Sequence, residues 1–157
     1  MEFEEALRLL AALETHEVRY VLVGSMAMAA QGLIRATHDM DFFVDPDEDN
    51  VARLRAALAA TFDSDPNIEQ ITAADLGGDY PAIEYSPPHG EYSLDILSRL
   101  GEAFCFDDIE WEEHVVDGIK IRVATARMLY RMKKDTVRPQ DRIDAEAIRA
   151  RFGLGDE

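Results

Sequence analysis

One stretch constrains the fold more than any other: residues 21–45, VLVGSMAMAAQGLIRATHDMDFFVD. Residues 20–23, Tyr-Val-Leu-Val, read as a short buried strand. Gly24-Ser25 reads as a tight turn, residues 26–31 as a short helix, and residues 39–44 as a second strand after a loop. Side chains two apart on a strand share a face. Asp39, Asp41, Phe43 and Asp45 therefore point one way, and Met40, Phe42 and Val44 the other. The apolar set faces a core, so Asp39 and Asp41 emerge side by side, roughly 7 Å apart at the backbone.

Two carboxylates that close repel each other unless a positive charge lies between them. A divalent cation answers that need, and oxygen ligands suit magnesium or manganese. Gly24 lacks a Cβ where a phosphate would have to approach closely. The helix start that follows offers free N–H groups and a positive dipole end. Ser25 can add a hydroxyl donor or cap that helix. An anion site beside paired carboxylates points to a metal-bound nucleoside triphosphate.

These residues resemble the nucleotidyltransferase superfamily, the polymerase-beta-like fold. Its signature is an apolar strand, Gly-Ser or Gly-Gly, a helix, then Asp-x-Asp or Asp-x-Glu in an apolar strand. Thirteen positions separate Ser25 from Asp39 here, at the long end of the family's range. Arg35-Ala36-Thr37 before the pair and Phe42-Phe43-Val44 after it look most like a small bacterial branch related to abortive-infection (AbiEii-type) toxin nucleotidyltransferases. The resemblance covers residues 1 to 152, loosely between its two specific segments. It implies an α/β (α+β) fold, a small mixed sheet with helices mainly on one face.

The remaining pattern suits that expectation. Residues 2–14 read as an amphipathic helix with Phe3, Ala6, Leu7, Leu10 and Leu13 inward. A helix over residues 50–62 buries Val51, Leu54, Leu58 and Phe62; residues 68–76 read as ambiguous, with a short helix through Ala73-Ala74. Residues 82–85 and 92–97 read as strands around a Pro87-Pro88-Gly90 turn. Phe104, Phe106 and Trp111 sit in an acidic run, 101–113, and are expected to pack against the sheet edge. Residues 114–123 read as a hairpin turning on Asp117-Gly118. Thr125 caps a helix to Lys134 with Ala126, Leu129 and Met132 inward. Pro139 opens a last helix, with Ile143, Ala147, Ile148 and Phe152 inward and Gly153 ending it. The whole reads as one domain, 1–157, with 124–152 as a helical hairpin packed on it.

Asp95 is an isolated charge in an apolar strand, where burial without a partner would be expensive. By chain order the resemblance implies that it is the third carboxylate, a metal ligand with Asp39 and Asp41 and the general base for an acceptor hydroxyl. Glu84, also in a strand, is the weaker candidate. The second point of resemblance is KKDTVRPQDRIDAEAI, where the toxin branch carries Lys, Arg-Pro-x-Asp and a further Asp; these match Lys133, Arg138, Pro139, Asp141 and Asp144. It implies that Lys133 offsets triphosphate charge, with Arg138 in the same nucleotide-binding set. Arg138, Asp141 and Asp144 also suit holding the loop, and Lys134 replaces Lys133 if the register slips by one. His38 beside the pair has no role assigned.

Charge bounds the partners. Sixteen basic residues against 32 acidic ones give a net charge of −16, which argues against unaided binding of long nucleic acid. A basic partner protein or a small or cationic acceptor suits it better. One cysteine, Cys105, excludes an internal disulfide. No apolar run approaches the roughly 20 residues of a membrane span, and an acidic MEFEEALRLL start is unlike a secretion signal, so a cytoplasmic protein without a membrane partner is expected. The function expected is magnesium- or manganese-dependent transfer of a nucleotide from an NTP to a tRNA, protein or small-molecule hydroxyl, in a toxin–antitoxin pair by resemblance. The alternative is a non-catalytic member that binds a nucleotide or a partner protein.

Overall fold

The computed structural model describes residues 3–33, 39–78, 81–88, 92–100, 104–136 and 138–155. Arg35-Ala36-Thr37, His38, Gly90 and the start of the 101–113 run lie outside the described residues.

The chain opens with helix α1 (Phe3–Thr15) and enters strand β1 (Tyr20–Val23), which leads directly into α2 (Gly24–Ala30). Strand β2 (Met40–Val44) and helix α3 (Glu48–Thr61) follow, then a 3-10 turn (Pro66–Gln70) and α4 (Ala73–Leu76). Next come β3 (Ala82–Tyr85), β4 (Leu94–Leu97) and a small pair, β5 (Arg99–Leu100) with β6 (Phe104–Cys105). A hairpin of β7 (Trp111–Val116) and β8 (Ile119–Ala124) precedes α5 (Ala126–Lys133) and α6 (Pro139–Phe152).

Six strands form one mixed sheet in the order β3-β4-β2-β1-β8-β7. β1 runs antiparallel to β2 and parallel to β8, while β2 and β4 are parallel. The core sits where the apolar faces of β1, β2 and β4 meet the helices. Met40, Phe42, Leu94 and Ile96 are all but fully buried there, and the Tyr20 ring meets Phe42 edge-on at 5.9 Å. Phe43 departs from simple alternation. It shares the aspartate face yet is wholly buried, opposite an equally buried Val21, so only the end of that face near the carboxylates is open.

Local chemistry explains the element boundaries. Asp117 and Gly118 both have positive φ, 50° and 79°, as a two-residue turn matching strand twist requires. The Thr125 hydroxyl accepts from the Met128 N–H at 3.1 Å and caps α5. Asn50, buried on α3, accepts from the Arg19 N–H at 2.7 Å and donates to the carbonyls of Arg19 and Asp45 at 3.0 and 2.8 Å. It ties the start of β1 to the end of β2, where Arg19 also pairs with Asp45 at 2.8 Å.

Three expected stripes are corrected. In α1, Leu9 replaces Phe3, which is 61% exposed. In α5 the fully buried residues are Met128, Leu129 and Tyr130. In α6 the buried residues are Asp144, Ala145 and Ile148, while Ile143 is 63% exposed and Phe152 also faces out. The α6 face turns because Asp144 pairs inward with Lys133 of α5 at 3.1 Å. Trp111 is likewise not packed on an edge. It is exposed, and Arg122 lies 4.8 Å from the ring centre.

Candidate active site

The site is built by strand register. Asp41 on β2 pairs with Val23 on β1 on one side and with Asp95 on β4 on the other. Parallel neighbours in register project to the same face, so Asp41 and Asp95 stand together. Partial burial, then the adjacent Asp95 carboxylate and the charge of Asp39, push the Asp41 carboxyl up from 3.8 to about 7, with Lys133 pulling the other way.

Gly24 abuts Asp41 from the strand-to-helix turn. Its φ is +70°, in the left-handed region that favours glycine, and a Cβ there would overlap Oδ2 of Asp41 and lie 2.9 Å from its Cγ. The space that glycine leaves is thus filled by the Asp41 carboxylate.

A cleft of about 600 Å³ opens in front of the pair. Gly24, Asp41, Asp95 and Glu84 line it from the sheet, and Leu129, Met132, Lys133, Arg138 and Asp141 from the helical hairpin. Lys133 is mostly buried and lies 3.4 Å from Asp141 and 3.1 Å from Asp144. The Thr136 hydroxyl donates to Asp141 at 2.8 Å and the Gln140 amide to Asp144 at 3.0 Å. These contacts fix the ammonium on the wall facing the carboxylates. Arg138 is exposed at the mouth and has no ion-pair partner among the described residues.

Of the expected residues, Gly24, Asp41, Asp95, Lys133 and Arg138 come together in this cleft. Ser25 and Asp39 do not line it. Asp39 lies just before β2, where its carboxylate accepts from the Ser93 N–H at 3.3 Å and the Ser93 hydroxyl at 3.0 Å. Asp141, expected to hold the loop, lines the cleft, as does Thr136, which had no role assigned; the short spacing from Lys133 was the available signal.

The donor set fits a divalent cation. Asp41 and Asp95 are hard oxygen donors, and their proximity helps raise the Asp41 carboxyl, a strain that a cation between them would relieve. Among the described residues no three acidic, histidine or cysteine side chains already converge as a cage. Such a pair suits magnesium, which takes one or two carboxylates and completes its shell with phosphate and water oxygens.

In comparisons with known proteins, no family model and no curated sequence matches the chain. Solved structures do. A protein of Thermotoga maritima assigned as a nucleotidyltransferase aligns with a TM-score of 0.51 at 18% identity, over 98% of this chain and 96% of its own. ANT(2″)-Ia in complex with adenylyl-2″-tobramycin aligns with a TM-score of 0.54 at 14% identity, over 97% of this chain and 91% of its own. At such identities the likeness speaks to architecture, and on that evidence the chain has the nucleotidyltransferase fold.

Proposed function

We propose that this protein is a divalent-cation-dependent nucleotidyltransferase that moves a nucleoside monophosphate from an NTP to an acceptor hydroxyl. The observation that carries this reading is the register setting Asp95 against Asp41 on the floor of a cleft whose opposite wall presents Lys133. A structural module alone has no need of two adjacent carboxylates facing a mostly buried ammonium, because each desolvated charge is costly. The same arrangement suits a triphosphate, whose charge must be offset on both sides during transfer.

In this reading the triphosphate lies between the carboxylate pair and Lys133, with Arg138 at the mouth on its outer oxygens. Magnesium or manganese, when bound at Asp41 and Asp95, would polarise the phosphates and offset the charge of departing pyrophosphate. Asp95 takes the proton of the acceptor hydroxyl. The hydroxyl oxygen then bonds to the α-phosphorus as the α–β bridging bond breaks, and pyrophosphate leaves. Gly24 leaves room for the Asp41 carboxylate beside Asp95. Asp39 joins the pair only by giving up Ser93.

The acceptor class divides among a tRNA, a protein and a small molecule. The net charge of −16 favours the last two, or a basic partner that carries the acceptor. The neighbour bound to an adenylylated tobramycin supports a small acceptor, and the likeness of the Lys133-to-Asp144 segment to toxin enzymes supports a toxin with a partner protein. The non-catalytic reading would gain from an Asp95 turned away from Asp41; their pairing in register on one cleft floor favours the enzyme.

The test is calorimetry with each of the four NTPs, with and without magnesium, followed by label transfer from α-labelled NTPs into cell extract. Wild-type protein should bind at least one NTP only with magnesium and label an acceptor. Asp41→Ala should stay folded and do neither; undiminished transfer by that variant refutes the mechanism.

A further inference from the structure

β3 is the outermost strand of the sheet, next to the β4 that carries Asp95. Its ladder with β4 pairs Ile83 with Ile96 and Glu84 with Asp95, and the Ser98 N–H donates to the Pro81 carbonyl at 2.8 Å in the same register. Hydrogen-bonded pairs alternate along an antiparallel ladder. Ile83 and Tyr85 therefore turn their backbone groups towards β4, and Ala82 and Glu84 turn theirs to the free edge. Both of those residues are exposed, and their outward N–H and C=O groups take no partner among the described residues. Such a row of open groups is ready to pair with another strand. Pro81, Pro87 and Pro88 bracket it, so the edge offers one short register and not an endless ladder.

The edge also has a wall facing it. A groove of about 560 Å³ runs behind β3, closed on its far side by Asn67 and Gln70 of the 3-10 turn and by Asp75 of α4. A strand laid along β3 would meet backbone groups on one side and the two side-chain amides, each both donor and acceptor, on the other. The groove and the cleft share Ala82, Ile83 and Glu84, so whatever pairs with β3 also lies at the mouth of the cleft. Charge selects the occupant. Glu84 and Asp75 line the groove, no lysine or arginine does among the described residues, and the chain as a whole carries −16. An extended segment bearing lysine or arginine complements that field, and an acidic one is repelled.

We propose that the acceptor is a protein, and that it docks through an extended, lysine- or arginine-bearing segment that adds to β3 as a seventh strand of the sheet. Strand addition draws its affinity from main-chain bonds and its specificity from alternate side chains. Here Ala82 and Glu84 supply the main-chain bonds, and Asp75 and Glu84 select positive charge. The inference deepens the nucleotidyl-transfer reading and rests on it for its chemistry. The docked partner brings a hydroxyl into the cleft past Glu84. That hydroxyl loses its proton to Asp95, its oxygen bonds to the α-phosphorus, and pyrophosphate departs.

The probe is the strand-forming peptide Lys-Val-Lys-Thr-Lys-Val-Lys, acetylated and amidated, titrated by calorimetry into the full chain at about 0.15 M salt, where loose charge attraction is screened. Two backbone-methylated forms keep its charge and lose alternate N–H donors, one at the lysines and the other at the valines and threonine. The wild type should bind the parent. One methylated form should lose binding and the other keep most of it, because only alternate N–H groups face β3. Ala82→Pro removes an outward N–H at the start of an edge strand, where proline is tolerated, and should weaken binding about tenfold. Equal binding by the two methylated forms means attraction by charge alone and overturns the proposal. So does unchanged binding by a folded Ala82→Pro. Magnesium-dependent NTP binding without any binding of the parent peptide overturns the docking and leaves the transfer reading standing. A wild type that binds the peptide in this alternating pattern but no NTP sinks the transfer reading and upholds the docking.

Discussion

Replacing Asp41 with asparagine should make the cation-free protein more stable, and the pH at which this is measured decides the reasoning. Asp95, Asp39 and Lys133 are the charged groups acting on Asp41. The first two, with partial burial, raise its carboxyl from 3.8 to about 7, against the pull of Lys133. A folded state that holds a proton more tightly than the unfolded chain loses stability as pH rises. The penalty is absent below about pH 4, grows from there to about pH 7, and is complete above it. At about 1.4 kcal/mol per pH unit it reaches at most about 4 kcal/mol. The cleft is open to water, so about half of that is a realistic expectation. The asparagine side chain would keep the shape and can donate to Asp95 without the charge. In EDTA at pH 8, Asp41→Asn should raise Tm by about 4–8 °C, at about 2–4 °C per kcal/mol for a chain of this size. The advantage should shrink towards pH 5 and vanish below pH 4. Magnesium with an NTP should raise the Tm of the wild type only. A variant that melts with the wild type at pH 8, or whose advantage ignores pH, refutes the argument that the two carboxylates strain the site.

Other substitutions test other joints. Gly24→Ala forces a side chain into positive φ, about 1–2 kcal/mol, and drives its Cβ into Asp41; urea denaturation should show the loss, and NTP binding should fall with it. Lys133→Met leaves Asp144, 3% exposed, without its ammonium, and should cost about 3 kcal/mol in urea. Asn50→Ala removes three hydrogen bonds and leaves backbone groups of Arg19 and Asp45 unpaired, for about 2–4 kcal/mol.

The centre of the fold was legible because its short strands are marked by which neighbours are apolar, Phe43 being the exception to alternation. β1, the apolar face of β2, and Asp95 between Leu94 and Ile96 all follow from which neighbours are apolar. The Asp117-Gly118 hairpin was legible because that turn needs residues tolerant of positive φ. Helix faces were less readable. On α6, outward placement of charge was the natural assumption, but Asp144 points inward at Lys133 and turns Ile143 out to water. Asn50 was missed for the same reason, as a polar residue whose partners are backbone groups 31 and 5 residues away. In the site, Gly24 was recognised for its conformational freedom, but no sequence pattern says that the Asp41 carboxylate fills the space beside it. The groove behind β3 depends on how α4 and the 3-10 turn lie against an edge strand, and nothing in the spacing of Asp75 and Glu84 announces it.

The measurement closest to the central claim is the fate of the two ends of one NTP. With magnesium, an acceptor source and the NTP that binds, α-labelled and γ-labelled forms are followed side by side in the wild type and in Asp95→Asn. Nucleotidyl transfer predicts α-label on the acceptor and γ-label released only as pyrophosphate, both lost in the variant. Label moving to the acceptor from the γ position, or α-label moving equally well without the Asp95 carboxylate, would contradict it.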